Sequence, residues 1–432
     1  MLASRFVDPF ASISQKGPLG GDTYGGAEIF LKLKYEWKRP LMGPVVWGAT
    51  SLFRFIPDVP QTTAIALGLA LLATLNLVLA YLVARRLTVV RPLALLATGC
   101  YALFLSTLIG LSIADSYTVS SLMVLLVLYV WLRNPAPSDL GGCLWLGGAV
   151  GLAGLCNTPL LLLAGLPIVH ALLAADLRRS LWVGLLVGGT AFTMVAAVVL
   201  THAALKYGDP TVYFERSSEY TARYADAGRL LEPSAYADVG ATFFAYAVAA
   251  PKPAVPGRSQ KAETLEHYLA GPGGLIGLAA VVIVAALAVF AAFGRHWRIT
   301  LPVLAFLAGI TAFYAYFNPP DAMLYSIQLR PALFVLMTLG ALSLPGSPRM
   351  AMLALAAVAA LLGARNLPIA LAGPYDFRVE SDLRETQTSE LGEAIAVCNY
   401  RQPSSPRCRA AALQERSSTT ESQSPSMQHP VQ

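Results

Sequence analysis

The sequence predicts an all-α polytopic membrane protein with about ten transmembrane helices. Three observations carry that reading. In 432 residues, 56% are hydrophobic and only 13% charged, against about 25% charged in ordinary soluble proteins. The mean hydropathy is +0.57, which excludes both a soluble globular chain and a disordered one, since disorder needs low hydrophobicity and high charge. Third, the apolar residues gather in runs near the ~20 residues needed to cross a bilayer.

In chain order those runs cover 61–84, 91–111, 116–132, 141–155, 158–175, 181–204, 272–293, 300–317, 324–343 and 350–367. Asn157-Thr158-Pro159 divides 141–175 into two short spans, because proline cannot sit in a helix interior without losing a hydrogen bond. Basic residues accumulate in short cytoplasmic loops. With the segment before residue 61 outside, the inner loops carry Arg85, Arg86 and Arg91; Arg133; Arg178 and Arg179; Arg295 and Arg298; and Arg349. The short loops 114–116, 156–159 and 318–323 hold no Lys or Arg. This alternation sets a multi-pass topology in the cytoplasmic (inner) membrane with both termini outside.

The chain divides accordingly into an external segment 1–60, helices over 61–205, an external loop 206–270, helices over 271–373 and a polar, mostly disordered external tail 374–432. Residues 1–60 contain no long apolar run and no signal peptide, so a further span before them is expected. Ala27 to Trp37 is expected as an amphipathic helix in the interface. The 206–270 loop exceeds a simple connector, and one or two interfacial helices with a mobile stretch are expected there. Cys398 and Cys408 lie in the tail, as a small disulfide loop or as two thiols; Cys100, Cys143 and Cys156 read as small core residues.

Polar chemistry concentrates on the outer side. It receives Asp8, Asp22, Glu28, Glu36, Asp58, Asp115 and Asp321, with Tyr207, Tyr213, Tyr220, Tyr224, Tyr236, Tyr246 and Tyr268 in the long loop. Gly20-Gly21-Asp22-Thr23-Tyr24-Gly25-Gly26 holds one carboxylate in a turn-prone stretch, and Lys38-Arg39-Pro40-Leu41 brings a basic pair to the membrane entry. A carboxylate beside cations suits a general base acting on a hydroxyl or amine while the cations neutralise a departing phosphate. Asp22 also reads as plain turn chemistry. Asp115 and Asp321 open helices, where the positive helix end alone accounts for a carboxylate. Most of the tyrosines fit an aromatic interface belt. Arg330 lies about six residues inside an apolar run, where a charge costs ~2.5–3.5 kcal/mol on insertion scales. It either snorkels to the outer interface or binds an anion through its planar fork of donors.

The order Asp22-Thr23-Tyr24, then Arg39-Pro40-Leu41, resembles the first external loop of GT-C superfamily membrane glycosyltransferases, the group of protein mannosyltransferases and lipid A aminoarabinose transferases. Ala114-Asp115-Ser116-Tyr117, Leu155-Cys156-Asn157-Thr158-Pro159 and Phe317 through Asp321 to Tyr325-Ser326 look similar to further segments of bacterial members, in the same order. Position 39 is Arg where that pattern has His, Asp22 lacks the neighbouring acid common there, and the span preceding the loop is absent.

The resemblance implies transfer of a hexosyl or pentosyl group from a polyprenyl-phosphate donor to an acceptor glycan, lipid or protein outside the cytoplasmic membrane. It implies Asp22 as catalytic base, with Arg330, Arg39 and Lys38 on the donor phosphate. Tyr24, Asp115, Tyr117, Asp321 and Tyr325 are then acceptor or sugar contacts, and the external loop closes over the donor. Mg²⁺ or Mn²⁺ assistance stays open, the ligand set being incomplete. No P-loop or GxGxxG signature occurs, and no nucleic-acid partner is expected. Two rival classes remain: a lipid or solute transporter, supported by the Gly- and Pro-broken run 147–159, and a degenerate non-catalytic membrane protein, consistent with the missing span.

Overall fold

The computed structural model describes residues 39–57, 61–110, 117–249, 271–317, 322–345 and 348–372, with the single positions 59 and 269. It is an all-α bundle. The elements are α1 (Met42–Arg54), α2 (Gln61–Leu87), α3 (Arg91–Leu103), α4 (Leu105–Gly110), α5 (Tyr117–Arg133), α6 (Leu140–Cys156), α7 (Gly165–Leu173), α8 (Leu177–Val183), α9 (Gly189–Tyr207), α10 (Val212–Tyr224), α11 (Pro233–Gly240), α12 (Pro272–Phe293), α13 (Trp297–Tyr316), α14 (Ala322–Ser343) and α15 (Pro348–Ala372). A 3₁₀ turn, Thr158–Ala164, leads into α7, and π turns at Gly184–Gly188 and Ala241–Tyr246 extend α8 and α11.

Among the described residues six helices are long and apolar enough to cross a membrane, the α8–α9 rod being the longest at 31 residues; α5, α6 and the stretch 158–173 are shorter apolar helices. With the broken pair α3–α4, these occupy the ten expected runs. Local chemistry sets their ends. Arg85 closes α2 by donating to the carbonyls of Thr88 and Val89, a basic cap favoured by the helix dipole. Asp139 and Asp176 accept from the backbone N–H of Gly142 and Arg179 and so start α6 and α8.

Contacts between loops sort the helix ends into two groups. At one end the Arg86 guanidinium lies 5.4 Å over the Tyr129 ring, Trp131 meets His170 edge-on, His170 Nδ1 donates to the Arg298 carbonyl at 2.8 Å, and Arg295 donates to that of Leu342. At the other end Leu41 N donates to the Leu155 carbonyl, Arg39 meets Tyr117, and Asp226 N donates to the Tyr316 carbonyl at 3.0 Å. The short arginine-bearing loops therefore share one end of the bundle.

α14 is the central helix: 89% of its apolar stretch is buried, against 28–44% for the other long spans. Its closest neighbour is α12, where Gly340 lets the backbones touch. A Cβ on Gly340 would fall on the Leu287 carbonyl. On α6, Gly147 and Gly151, four apart, admit α9 in the same way, since a Cβ would meet Thr190 Cβ at 2.7 Å and Met194 Sδ at 2.8 Å. Small residues at such spacing are how helices approach inside a bilayer, where burial of apolar surface gives no drive.

Two features depart from a plain bundle. α1 is amphipathic, burying Met42, Val46 and Ala49 on α2 while Leu52 and Phe55 stay exposed. Interfacial helix thus follows the Lys38-Arg39 pair; the expected helix over Ala27 to Trp37 lies outside the described residues, as do Cys398 and Cys408. Within the 206–270 segment, α10 and α11 lie towards the Arg39 end of the bundle, and from the end of α11 the chain enters the core. Val239, Phe243, Ala247, Val248 and Ala249 are all buried. Cys100, Cys143 and Cys156 are free and buried.

Candidate functional site

The site is built where α5, α13 and α14 meet the Arg39 segment, at the end of the bundle opposite the short arginine-bearing loops. Leu41 is pinned to the end of α6 through the Leu155 carbonyl at 3.3 Å, and this sets Arg39 across α5. Arg39 Nη2 donates to the Tyr117 hydroxyl at 2.7 Å, and its guanidinium lies 4.7 Å from the centre of the same ring. Tyr117 meets Tyr325 edge-on at 5.6 Å, and Tyr325 stacks on Tyr314 at 4.0 Å with planes 15° apart. All three rings are buried, so they form an aromatic floor under Arg39.

Beneath the floor is an amide cluster. α6 ends at Cys156 because Asn157 is extended (φ −160°, ψ 112°) ahead of Pro159. The freed Asn157 side chain donates to Gln328 Oε1 at 2.5 Å and to the Tyr314 hydroxyl at 3.3 Å, while Gln328 Nε2 donates to that hydroxyl at 2.6 Å. Three spans are tied by three polar side chains. Gln328 and Tyr314 were not singled out from the sequence, although an amide inside an apolar run is itself a signal, being costly unless partnered.

Two residues beyond Gln328 on α14 sits Arg330. It does not snorkel; its side chain is wholly enclosed. Nε donates to the Tyr101 hydroxyl at 3.0 Å and to Ser121 Oγ at 3.2 Å, and Nη1 donates to the Ser106 carbonyl. Nη2 is buried without a partner, and among the described residues no carboxylate pairs with the guanidinium. Tyr117 and Ser121 are four residues apart on α5, so the two arginines converge on adjacent turns of one helix face, about 6 Å apart along its axis.

The helix breaks at Phe104 (ψ 136°) between α3 and α4, and the Ser106 carbonyl lies just beyond the break. Asn366 of α15 donates to the carbonyls of Leu103 and Val248, both at 2.8 Å, and Ser106 Oγ donates to that of Ala247 at 2.9 Å. The break is thereby hydrogen-bonded, as backbone at membrane depth requires, and the inward end of the 206–270 segment is fastened to it.

Of the residues singled out from the sequence, Arg39, Tyr117 and Tyr325 are brought together and Arg330 stands one turn below. Asp22, Tyr24, Lys38, Asp115 and Asp321 lie outside the described residues. Lys206 is placed over the Tyr207 ring at 5.3 Å, an interfacial arrangement. Among the described residues no three His, Cys, Asp or Glu side chains gather into a metal site; the donors here are guanidinium, phenol and amide, which do not suit a hard divalent ion. On the exposed surface after α9, the Thr211 backbone and hydroxyl both donate to Asp209 and hold its carboxyl below the ordinary range.

The fold and its apolar helices together define a multi-pass helical membrane protein. No family model matches the chain, and no curated protein matches it by sequence. Two solved chains resemble it in fold, both ArnT from Cupriavidus metallidurans. The form bound to undecaprenyl phosphate is 16% identical with a TM-score of 0.51, covering 92% of this chain and 79% of that one. The apo form is 17% identical with a TM-score of 0.44, covering 79% and 58%. This chain thus spans 58% of the length of the apo ArnT chain and 79% of the lipid-bound one. The GT-C-like fold expected from the sequence is the fold found.

Proposed function

We propose that the protein transfers a sugar from a polyprenyl-phosphate donor to an acceptor at the outer face of the cytoplasmic membrane. The observation that carries this reading is the convergence of Arg39 and Arg330 on adjacent turns of α5. Two cations held by aromatic and hydroxyl partners, the deeper one without a carboxylate, form a positive column at the end of the bundle opposite the basic loops. A lipid phosphate complements such a column, and planar guanidinium forks suit it best. The fold likeness to ArnT, solved with undecaprenyl phosphate bound, supports the same donor class.

In the proposed reaction Asp22 takes the proton from the acceptor nucleophile, which attacks the anomeric carbon. The bond from that carbon to the phosphate oxygen breaks, and its electron pair leaves with the lipid phosphate. Arg39 and Lys38 neutralise the departing charge at the surface, and Arg330 adds positive potential from below with its unpartnered Nη2 edge. Tyr24, Asp115, Tyr117, Asp321 and Tyr325 surround the sugar and acceptor. A divalent ion, if used, falls to Asp22, Asp115 and Asp321, and no step here is routed through one.

The test is incubation of purified protein with a radiolabelled polyprenyl-phosphate sugar in vesicles. Release of lipid phosphate with transfer of label is expected; movement of intact donor across the bilayer without turnover overturns the enzyme reading.

A further inference from the structure

At the arginine-bearing end, a groove of about 730 Å³ opens beside the start of α8, away from the proposed donor site. Arg178 and Arg179 border its polar end, with Ser138 from the loop before α6. Its other wall is apolar. Leu181, Trp182 and Leu185 are 67, 47 and 70% exposed, on a rod that is itself a membrane-crossing helix. Residues 178, 182 and 185 share one helix face, so the groove descends from a guanidinium through an indole to a leucine over about 10 Å.

The two arginines are differently engaged. Arg179 Nη2 donates to the Ala136 carbonyl and holds the α5–α6 loop against α8, leaving its Nε buried without a partner. Arg178 is exposed and makes no hydrogen bond or ion pair among the described residues. Asp176 also lines the groove, but its Oδ1 is taken by the Arg179 backbone N–H at 2.8 Å. Two guanidiniums face one occupied carboxylate, so the polar end is net positive. Topology accounts for arginines at this end of the bundle; it does not account for a groove that continues from them along an exposed indole and two leucines.

We propose that this groove holds one anionic phospholipid of the leaflet at the arginine-bearing end. Its phosphate diester meets Arg178, with the Arg179 charge beside it, and an acyl chain lies along Trp182 and Leu185. Basic pockets between membrane helices take anionic headgroups in this way, each basic residue adding about a kilocalorie per mole. The apolar wall selects a lipid over a free phosphate. The site is independent of the sugar-transfer reading.

The test uses the full chain purified in neutral detergent and titrated with phosphatidylglycerol, with phosphatidylcholine and inorganic phosphate as comparators. Bound lipid is counted by native mass spectrometry, and a photoactivatable phosphatidylglycerol maps the contact. Saturable binding of phosphatidylglycerol over phosphatidylcholine is expected, with crosslinks to 178–185. Arg178→Gln, which removes no protein contact, should weaken binding about fivefold, whereas Arg133→Gln at the same end should not. Equal retention of both lipids, equal binding by Arg178→Gln and the parent protein, or crosslinks elsewhere overturns the proposal. Competition by inorganic phosphate at the lipid's own concentration would make this a simple anion site and overturn the lipid assignment.

Discussion

Arg330 donates from Nε to the Tyr101 hydroxyl at 3.0 Å and stands 5.5 Å from the centre of that same ring. Tyr101 thus meets the guanidinium with both its oxygen and its π face, doing part of the work that a carboxylate does elsewhere. Removing the oxygen alone separates the two roles. Tyr101→Phe keeps the ring and should lower stability by about 1 kcal/mol, the usual range for a buried hydrogen bond, read as a lower thermal midpoint in detergent.

Arg330→Leu should act on the donor rather than on expression. It removes a buried charge, whose desolvation is expensive, but strands the Ser106 carbonyl, while the Tyr101 and Ser121 hydroxyls keep each other at 3.1 Å; these opposing terms leave the net stability change small. The apparent KM for the lipid donor is expected to rise. Steady-state kinetics on the labelled donor check it, and unaltered donor kinetics would remove Arg330 from the proposed site.

Asn157 and Gln328 should be strongly coupled. Each holds the other and both hold Tyr314, so Asn157→Ala and Gln328→Leu are expected to cost less together than the sum of the single changes. Hydrogen-bond coupling between membrane helices runs to about 0.6 kcal/mol on average and 1.7 at most. A double-mutant cycle on unfolding midpoints gives the value; strict additivity would show that the amides do not communicate.

Gly340→Ala tests the central packing. Its new methyl group would meet the α12 backbone at Leu287, which has no rotamer to move aside. Overpacking of this kind costs about 1–3 kcal/mol or more, and loss of monodisperse protein on size-exclusion chromatography is expected. Gly148→Ala, where nothing lies within 4 Å, serves as the tolerated control.

Asp22→Asn should express normally and release no lipid phosphate from the labelled donor. The amide keeps the size of the side chain and loses only the ability to take a proton. Full sugar transfer by this variant would remove the proposed base.

Much of the fold was legible because the bilayer imposes it. An apolar run of membrane length has few alternatives to a helix, and the arginines of the short loops recorded which helix ends share a face. The break at Asn157-Thr158-Pro159 was also legible, since Pro159 states its own constraint. The break at Phe104 was not: no proline marks it, and it exists because Arg330 and Asn366, more than 220 residues downstream, supply donors to the freed carbonyls. α1 was not expected, because Lys38-Arg39-Pro40-Leu41 read only as a basic pair at the membrane entry; Pro44 sits in the first turn of the helix, where its missing N–H costs little. For the site, single residues such as Arg39, Tyr117 and Tyr325 were legible, but not that Tyr314 and Gln328 would support them. That depends on which helices become neighbours.

The Asn366 side chain donates to the Val248 carbonyl, a contact spanning 118 residues. A growing chain exposes the 247–249 stretch long before the helix carrying Asn366 leaves the ribosome. Until then the Leu103 carbonyl at the Phe104 break and the Val248 carbonyl lack this donor, and the stretch has no finished seat. Biogenesis of this protein therefore has a last step, in which the final described helix arrives and closes a gap left open through most of synthesis.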